Sequence, residues 1–246
     1  MLQVKPHDGY IVIQLDNGIP NALGIDVILQ LDALLDRVKK EKVPLVLTGN
    51  AKFFSMGLHL PEIIGYNPEE FTHFISSFEQ LVHSLYTLPV PVVCAMEGHA
   101  VAGGAILALA CDMRIGADGA KKFGCNEAQL GVPVPFLPSM LVRQIVSDAM
   151  ANRLLYRGDI LSFKDAHGCG LLDDLVTAPE IIATAGKVVC QMVPENMQAF
   201  SVMKAIRTAC ISEQFHKHNK EFTHNFVQCW FQKASQELIR KAAQKF

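Results

Sequence analysis

Short apolar runs alternate with longer segments of helical periodicity over residues 10–118, and this alternation restricts the possible folds of the chain more than any other feature. Four runs have the length and composition of buried strands: residues 10–15, 43–48, 90–96 and 113–116. Two segments, 25–40 and 71–88, carry apolar residues at the spacing of an amphipathic helix. Because helices that alternate with strands usually cover a sheet, the pattern predicts an α/β fold.

The character of the sequence changes after Gly131, where helical patterns replace the short strands. Helices are predicted at residues 138–156, 162–171, 179–191, 193–211 and 214–245. We therefore divide the chain into an α/β core over residues 1–190 and a helical region over residues 191–246. Half of the 246 residues are hydrophobic, which is enough to bury a large core.

Composition and charge argue against several classes of partner. The formal net charge is −2 without a basic block, so no nucleic-acid partner is expected. No apolar run reaches the ~18 residues of a membrane span, and the N-terminus does not resemble a signal or transit peptide. Seven scattered cysteines without a CxxC pair are typical of reduced thiols, so we expect a cytoplasmic protein.

The stretch EGHAVAGGAILALACDMRIGAD, residues 97–118, has the densest cluster of small residues in the chain. Gly103 and Gly104 stand where its apolar run begins. Glycine in the first turn of a helix lets a ligand approach backbone N–H groups that have no partner within the helix. The same residues also suit close packing of a buried helix against a strand. The residues alone leave these two interpretations open.

Two further segments are candidates for chemistry. The loop Phe53-Phe54-Ser55-Met56-Gly57-Leu58-His59 follows a buried strand, where ligand loops of α/β folds are found, but it also suits an ordinary glycine turn. Glu127 lies in a weakly polar stretch, and a carboxyl group in apolar surroundings has a raised pKa and can act as a base near neutrality. A surface or capping glutamate is the alternative interpretation of this segment.

Taken together, KFFSMGLHL (52–60), AVAGGAILALACDMRIGAD (100–118) and NEAQLGV (126–132) resemble the crotonase, or enoyl-CoA hydratase/isomerase, superfamily. The likeness is closest to the mitochondrial-type Δ3,Δ2-enoyl-CoA isomerases. The resemblance implies a ββα superhelix with a C-terminal helical trimerisation region. It also implies an acyl-CoA thioester substrate, assembly as a homotrimer or dimer of trimers, and a reaction without metal or cofactor.

The resemblance also assigns roles to residues. It implies that the backbone N–H groups of Met56 and Gly103 form an oxyanion hole for the thioester carbonyl, and that Glu127 is the catalytic acid and base. Asn126 is expected to contact the substrate. A further set of residues is expected to line the CoA side of the pocket: Ser55, Met56, Gly57, Leu58 and His59. Met56 and His59 depart from the more usual Ala and Asp of this loop.

The departures from the family pattern bear on the reaction. Ile106 stands where a hydratase of this family has its first glutamate, and Pro135 stands where other isomerases place an acid. Glu127 alone remains, which favours movement of a double bond from C3–C4 to C2–C3 over hydration. Ile106 and Phe136 are expected to exclude water from the intermediate. A hydratase, a thioesterase and a catalytically silent acyl-CoA-binding protein are the alternatives.

Overall fold

A computed structural model describes residues 2–193 and 196–244. Within these residues the strands are β1 Leu2–His7, β2 Tyr10–Leu15, β3 Leu45–Thr48, β4 Phe53–Ser55, β5 Val92–Met96, β6 His99–Val101, β7 Met113–Ala117, β8 Lys122–Gly124, β9 Leu161–Ser162 and β10 Asp174–Val176. The helices are α1 Ile25–Glu41, α2 Leu60–Ile63, α3 Pro68–Tyr86, α4 Gly103–Ala110, α5 Phe136–Ile145, α6 Asp148–Arg157, α7 Phe163–Gly168, α8 Ile181–Gln191, α9 Met197–Trp230 and α10 Lys233–Ala243. This confirms the predicted α/β fold with a helical C-terminal region.

The larger sheet has six strands in the order β1-β2-β3-β5-β7-β10. Only the β1–β2 hairpin is antiparallel, and the other strands of this sheet pair in parallel. Every residue of β3 and β5 is buried, because helices cover the sheet and leave these central strands no solvent-facing side. All four strands predicted from apolar runs belong to this sheet.

A second, smaller sheet has the order β4-β6-β8-β9 and was not predicted from the sequence. β4, β6 and β8 have three residues each, which is too short for an alternating pattern to stand out. β6 pairs in parallel with both β4 and β8. Since parallel strands end at the same edge of a sheet, the loops that follow these three strands meet there.

The helical C-terminal region differs in detail from the prediction. Residues 197–230 form one helix of 34 residues rather than two helices that divide near residue 212. The parts of the predicted helices that fall on residues 194–195 and 245 lie outside the described residues. The predicted helix 138–156 is two helices, since the chain leaves the helical conformation at Val146 and Ser147 caps α6 by accepting from the Met150 N–H.

Helix α9 packs along α3 in a seam of aromatic and polar contacts. The ring of Phe71 stacks on Trp230 with centroids 4.2 Å apart, and His83 stacks on Phe215 at 4.6 Å. Near the start of α9, Lys204 donates to the buried carboxylate of Asp112 at 2.7 Å and so fastens the helix to the core. Among the described helices, none is long and apolar enough to cross a membrane.

Candidate active site

Three loops converge at the carboxyl edge of the smaller sheet. Residues 56–59 follow β4, Ala102 joins β6 to α4, and residues 125–127 follow β8. The three segments that suggested chemistry in the sequence therefore lie side by side. Their convergence rests on strands of only three residues each, whose parallel pairing the sequence did not reveal.

The glycines at this edge are required by close backbone approach. Gly57 has φ +100°, and a Cβ at this position would lie 2.8 Å from the Gly103 nitrogen. A Cβ on Gly104 would collide with the carbonyl oxygen of Ser55. Ala102 adopts φ 48°, which turns the chain sharply from β6 into the first turn of α4. The small residues thus permit tight packing and bring the N-terminus of α4 against the loop after β4, which confirms the packing interpretation. That the first N–H groups of α4 also serve a ligand stays a prediction.

The hydrogen bonds of this loop show which backbone N–H groups are available to a ligand. Met56 N–H donates to the Pro20 carbonyl at 2.9 Å, Gly57 N–H to Ser55 Oγ at 3.1 Å, and His59 N–H to the Leu23 carbonyl at 3.1 Å. Among the described residues, Leu58 N–H and Gly103 N–H have no acceptor.

The prediction that Met56 N–H serves an oxyanion hole therefore requires correction, because the N–H points to Pro20 and is already hydrogen-bonded. The amide two residues later is the one that faces the start of α4. A Cβ built on Gly103 would lie 3.3 Å from the nitrogen of Leu58, so the Leu58 and Gly103 amides are neighbours. Unpaired N–H groups at a helix N-terminus are suited to bind developing negative charge.

A cavity of about 590 Å³ opens beside these amides. Leu58, Ala102, Asn126 and Glu127 of the three loops line the cavity. The rest of the wall comes from strands, loops and the C-terminal helices: Phe53, Met56, Leu60, His99, Val101, Lys122, Gln129, Leu130, Val132, Ile160, Phe226, Trp230, Leu238, Lys241 and Ala242. Most of these side chains are apolar. Among the described residues that line the cavity, Glu127 is the only carboxylate.

Glu127 is the first residue of a short 3-10 helix, Glu127–Leu130, which follows β8. Only 7% of its surface is exposed, and its Oε2 has no hydrogen-bond partner among the described residues. Burial raises the pKa of Glu127 to about 7. A carboxyl group with this pKa exchanges protons readily near neutrality. Because no described protein group donates to Oε2, this oxygen is available to a substrate.

The remaining predicted site residues divide into two groups. Met56, Leu58 and Asn126 line the cavity, as Glu127 does. Ser55 does not line it: its hydroxyl is buried, donates to the Asn21 carbonyl at 2.7 Å and accepts from Gly57 N–H. Ser55 therefore does not line the cavity as predicted, and its hydroxyl group holds the loop instead.

Gly57 and His59 also lie outside the cavity lining. Gly57 supplies the turn, while His59 Nδ1 lies 3.1 Å from Glu62 Oε2. Glu62 in turn accepts from the Ile25 N–H and the Tyr66 hydroxyl. Burial opposes ionisation of Glu62, but these hydrogen bonds and His59 hold its pKa below the usual value. The substitution of Asp by His at position 59 is thus accommodated by an anchoring contact to α2.

Two residues expected to exclude water do not reach the cavity. Ile106 is buried in the core, and Phe136 stacks on Phe222 with centroids 5.0 Å apart. Leu130 and Val132, a few residues after Glu127, are apolar wall residues instead. His99 and Trp230 also line the cavity and were not predicted from the sequence, because their positions in the wall depend on β6 and on the docking of α9.

Comparisons with known proteins relate the chain to one family. A family model described as enoyl-CoA hydratase/isomerase matches residues 6–246. The chain is 27% identical over 253 residues to a Mus musculus protein named Enoyl-CoA delta isomerase 1, mitochondrial, with 100% of this chain and 88% of the mouse protein covered. It is 28% identical over 188 residues to a Crotonyl-CoA hydratase of Syntrophomonas wolfei, with 75% of this chain and 72% of that protein covered.

The solved structure of human mitochondrial delta3-delta2-enoyl-CoA isomerase is similar to this fold along nearly its whole length. The TM-score is 0.95 at 25% sequence identity, and the superposition covers 99% of this chain and 97% of the human chain. These mouse and human relatives are named mitochondrial. The predicted cytoplasmic location is therefore not confirmed.

Proposed function

The chain belongs to the enoyl-CoA hydratase/isomerase family, and we propose that within this family it is a Δ3,Δ2-enoyl-CoA isomerase. The observation that carries the proposal is Glu127, the single carboxylate in the described lining of the cavity. Movement of a double bond from C3–C4 to C2–C3 requires removal of a proton at C2 and its return at C4. One carboxylate that reaches both carbons from the same face performs both transfers.

In the proposed reaction, ionised Glu127 removes the C2 proton and the electrons of that bond move into a dienolate. Negative charge develops on the thioester oxygen, and Glu127 in its protonated form then donates the proton to C4. The raised pKa of Glu127, about 7, suits both steps, because the group is a useful base and a useful acid at the same pH. The thioester already acidifies C2, so the proposal requires no metal or cofactor.

The N–H groups of Leu58 and Gly103 are the proposed donors to the thioester oxygen. Both lack an acceptor within the described residues, and both lie at the point where the loop after β4 meets α4. Each donor of this kind contributes about 3–4 kcal/mol to the stabilisation of an oxyanion. The proposal thus keeps Gly103 and replaces Met56 by Leu58.

The polarity of the cavity wall supports an acyl-CoA substrate. Lys122, Lys241 and His99 form polar parts of the lining, whereas Leu60, Phe226 and others form apolar parts. An acyl-CoA has an apolar acyl chain and a phosphorylated carrier, and these two parts require opposite kinds of surface.

The hydratase is the second candidate, and its support is the 28% identity to a crotonyl-CoA hydratase. Addition of water benefits from a group that activates the water and another that delivers the proton. With one carboxylate in the described lining, we expect isomerisation to be faster than hydration.

The test measures absorbance of the conjugated enoyl thioester with trans-3-hexenoyl-CoA, and hydration of crotonyl-CoA in parallel. Release of free CoA thiol is followed as the signature of a thioesterase. The isomerase proposal expects a rise in absorbance that Glu127→Gln abolishes. Glu79→Gln is the matched control, because Glu79 is another buried carboxyl group but lies outside the cavity lining. Hydration or thiol release in place of isomerisation would exclude the proposal.

We also propose that the protein assembles as a homotrimer through the C-terminal helical region. Val202, Met203 and Ile206 on α9 are 48%, 57% and 72% exposed, and a cluster of this kind on one helix is typical of a contact surface. Light scattering coupled to size-exclusion chromatography measures the assembly directly, and a monomer would exclude it.

A further inference from the structure

His99 is a wall residue of the cavity that the proposed proton transfers do not use. It begins β6, which runs into the strained turn at Ala102 and then into α4. Its ring is tilted against the ring of Phe53, with centroids 5.3 Å apart. The imidazole is thus held between a neighbouring strand and the cavity.

One hydrogen bond determines which ring nitrogen carries the proton. The backbone N–H of Lys122 donates to His99 Nδ1 at 3.0 Å, across the pair of β6 and β8. Nδ1 must therefore be an acceptor, and the neutral ring carries its proton on Nε2. Among the described residues, Nε2 has no hydrogen-bond partner. In this wall residue of the cavity, Nε2 is consequently an N–H donor available to a ligand.

Burial and nearby positive charge both act on the ionisation of His99. Burial lowers the pKa of His99, and the positive charges of Lys121, Lys122 and Lys52 lower it further. Protonation would also break the hydrogen bond from Lys122, since Nδ1 would then be a donor facing a donor. The ring therefore stays neutral near pH 7, while its surroundings carry positive charge.

We infer that His99 is a specificity-determining residue whose Nε2–H donates to a phosphate oxygen of the thioester carrier. An anionic acceptor fits better than an amide carbonyl, because Lys122 and Lys241 line the same cavity as His99 and favour negative charge. The inference rests on the proposed function, since it assigns a binding role in the same cavity. A phosphate on the ribose and the diphosphate of the carrier share the chemistry that this donor recognises.

Two substitutions separate the binding role from a structural one. In His99→Asn, Oδ1 occupies a place close to Nδ1 and still accepts from Lys122 N–H, but no donor remains at the position of Nε2. In His99→Gln, the side-chain amide places a donor near the position of Nε2, but the acceptor for Lys122 is lost. If Nε2 binds the ligand, His99→Asn is the variant that loses affinity. If Nδ1 has the important role through its contact with Lys122, His99→Gln is the variant that is impaired.

The experiment is calorimetric titration of the wild type and both variants with CoA, dephospho-CoA and pantetheine, together with a melting curve of each protein. A hydrogen bond to a charged acceptor corresponds to a loss of roughly 10- to 100-fold in affinity when it is removed. We expect His99→Asn to weaken CoA binding by this factor while its melting temperature and its affinity for pantetheine stay unchanged. His99→Gln should retain most of the affinity for CoA.

Dephospho-CoA identifies the source of the phosphate. If His99→Asn weakens binding of CoA but not of dephospho-CoA, the acceptor is the ribose phosphate; if it weakens both, the acceptor is the diphosphate. The inference is overturned if His99→Asn binds CoA like the wild type, or if pantetheine binding falls by the same factor as CoA binding. Should His99→Gln fail to fold, His99→Asn still decides the question.

Failure of the inference is distinguishable from failure of the proposed function. CoA titration requires no turnover, so it reports on His99 even if the wild type does not isomerise trans-3-hexenoyl-CoA. Conversely, if the wild type isomerises this substrate and His99→Asn leaves KM unchanged, the role inferred for His99 is overturned and the proposed isomerase function stands. Because the proposed proton transfers do not use His99, we expect KM to rise in His99→Asn while kcat changes little.

Discussion

The burial of Glu127 has a direct consequence for the pH dependence of the proposed isomerisation. The first step requires the ionised carboxylate, and burial raises the pKa of Glu127 from 4.5 to about 7. The profile of kcat/KM reports the pKa of the free enzyme's essential base. With a pKa of about 7, roughly 1% of the enzyme carries ionised Glu127 at pH 5, so kcat/KM should be about 100-fold below its plateau. A carboxylate of ordinary pKa would be about three-quarters ionised at the same pH.

The assay is the initial rate of conjugation of trans-3-hexenoyl-CoA at substrate concentrations far below KM, from pH 5 to pH 9. We expect log(kcat/KM) to rise with a slope of one up to about pH 7 and then to level off. Glu79→Gln is the control, since burial also raises the pKa of Glu79 to about 7, yet the residue lies between α3 and α9 and not at the cavity. A profile that is flat down to pH 5.5, or one that Glu79→Gln alters as strongly, would refute the assignment of the ionisation to Glu127.

Three further predictions follow from packing and burial. The pKa of Glu79 is higher in the folded than in the unfolded protein, so its favourable contribution to stability is present below pH 4.5 and is lost as the pH rises through about 7. Glu79→Gln should therefore raise the free energy of unfolding at pH 8 by up to about 3 kcal/mol and change it little at pH 5, as measured by urea unfolding. Gly104→Ala should lower the free energy of unfolding by several kcal/mol or abolish activity, because the new Cβ collides with Ser55. The control Gly168→Ala places a Cβ with no atom within 4 Å, so thermal unfolding should show no change or a gain of up to about 1 kcal/mol. Ile206→Lys should leave the fold intact and shift the proposed homotrimer towards monomer in light scattering, and an unchanged trimer would place the interface elsewhere.

The sequence predicted the fold where patterns were long enough to carry periodicity. α1 and the central strands β3, β5 and β7 are confirmed near their expected positions, because apolar runs between helices stand out. The three-residue strands of the second sheet did not stand out. The predicted break in α9 near residue 212 is wrong, because the helix continues through Ser212. The Ser212 hydroxyl lies 2.8 Å from Nε2 of His83 on α3 and so contributes to the packing of the two helices.

For the candidate site, the residue types of Gly57, Gly103 and Glu127 indicated three loops but left their chemistry open. The family resemblance assigned the roles. Which amide is available was decided only in three dimensions. Met56 and Leu58 are indistinguishable as backbone donors in the sequence, and the carbonyl of Pro20 that occupies Met56 N–H belongs to a distant segment.

The amino-acid sequence by itself thus determined the α/β architecture, the three candidate loops and the presence of an acid in apolar surroundings, because these depend on local composition and spacing. The tertiary structure decided the rest. Parallel pairing of β4, β6 and β8 brings the loops to one edge, and hydrogen bonds from distant residues leave Leu58 and Gly103 as the available amides. Burial by the surrounding wall raises the pKa of Glu127, since loss of water is a property of the whole enclosure and not of any single residue.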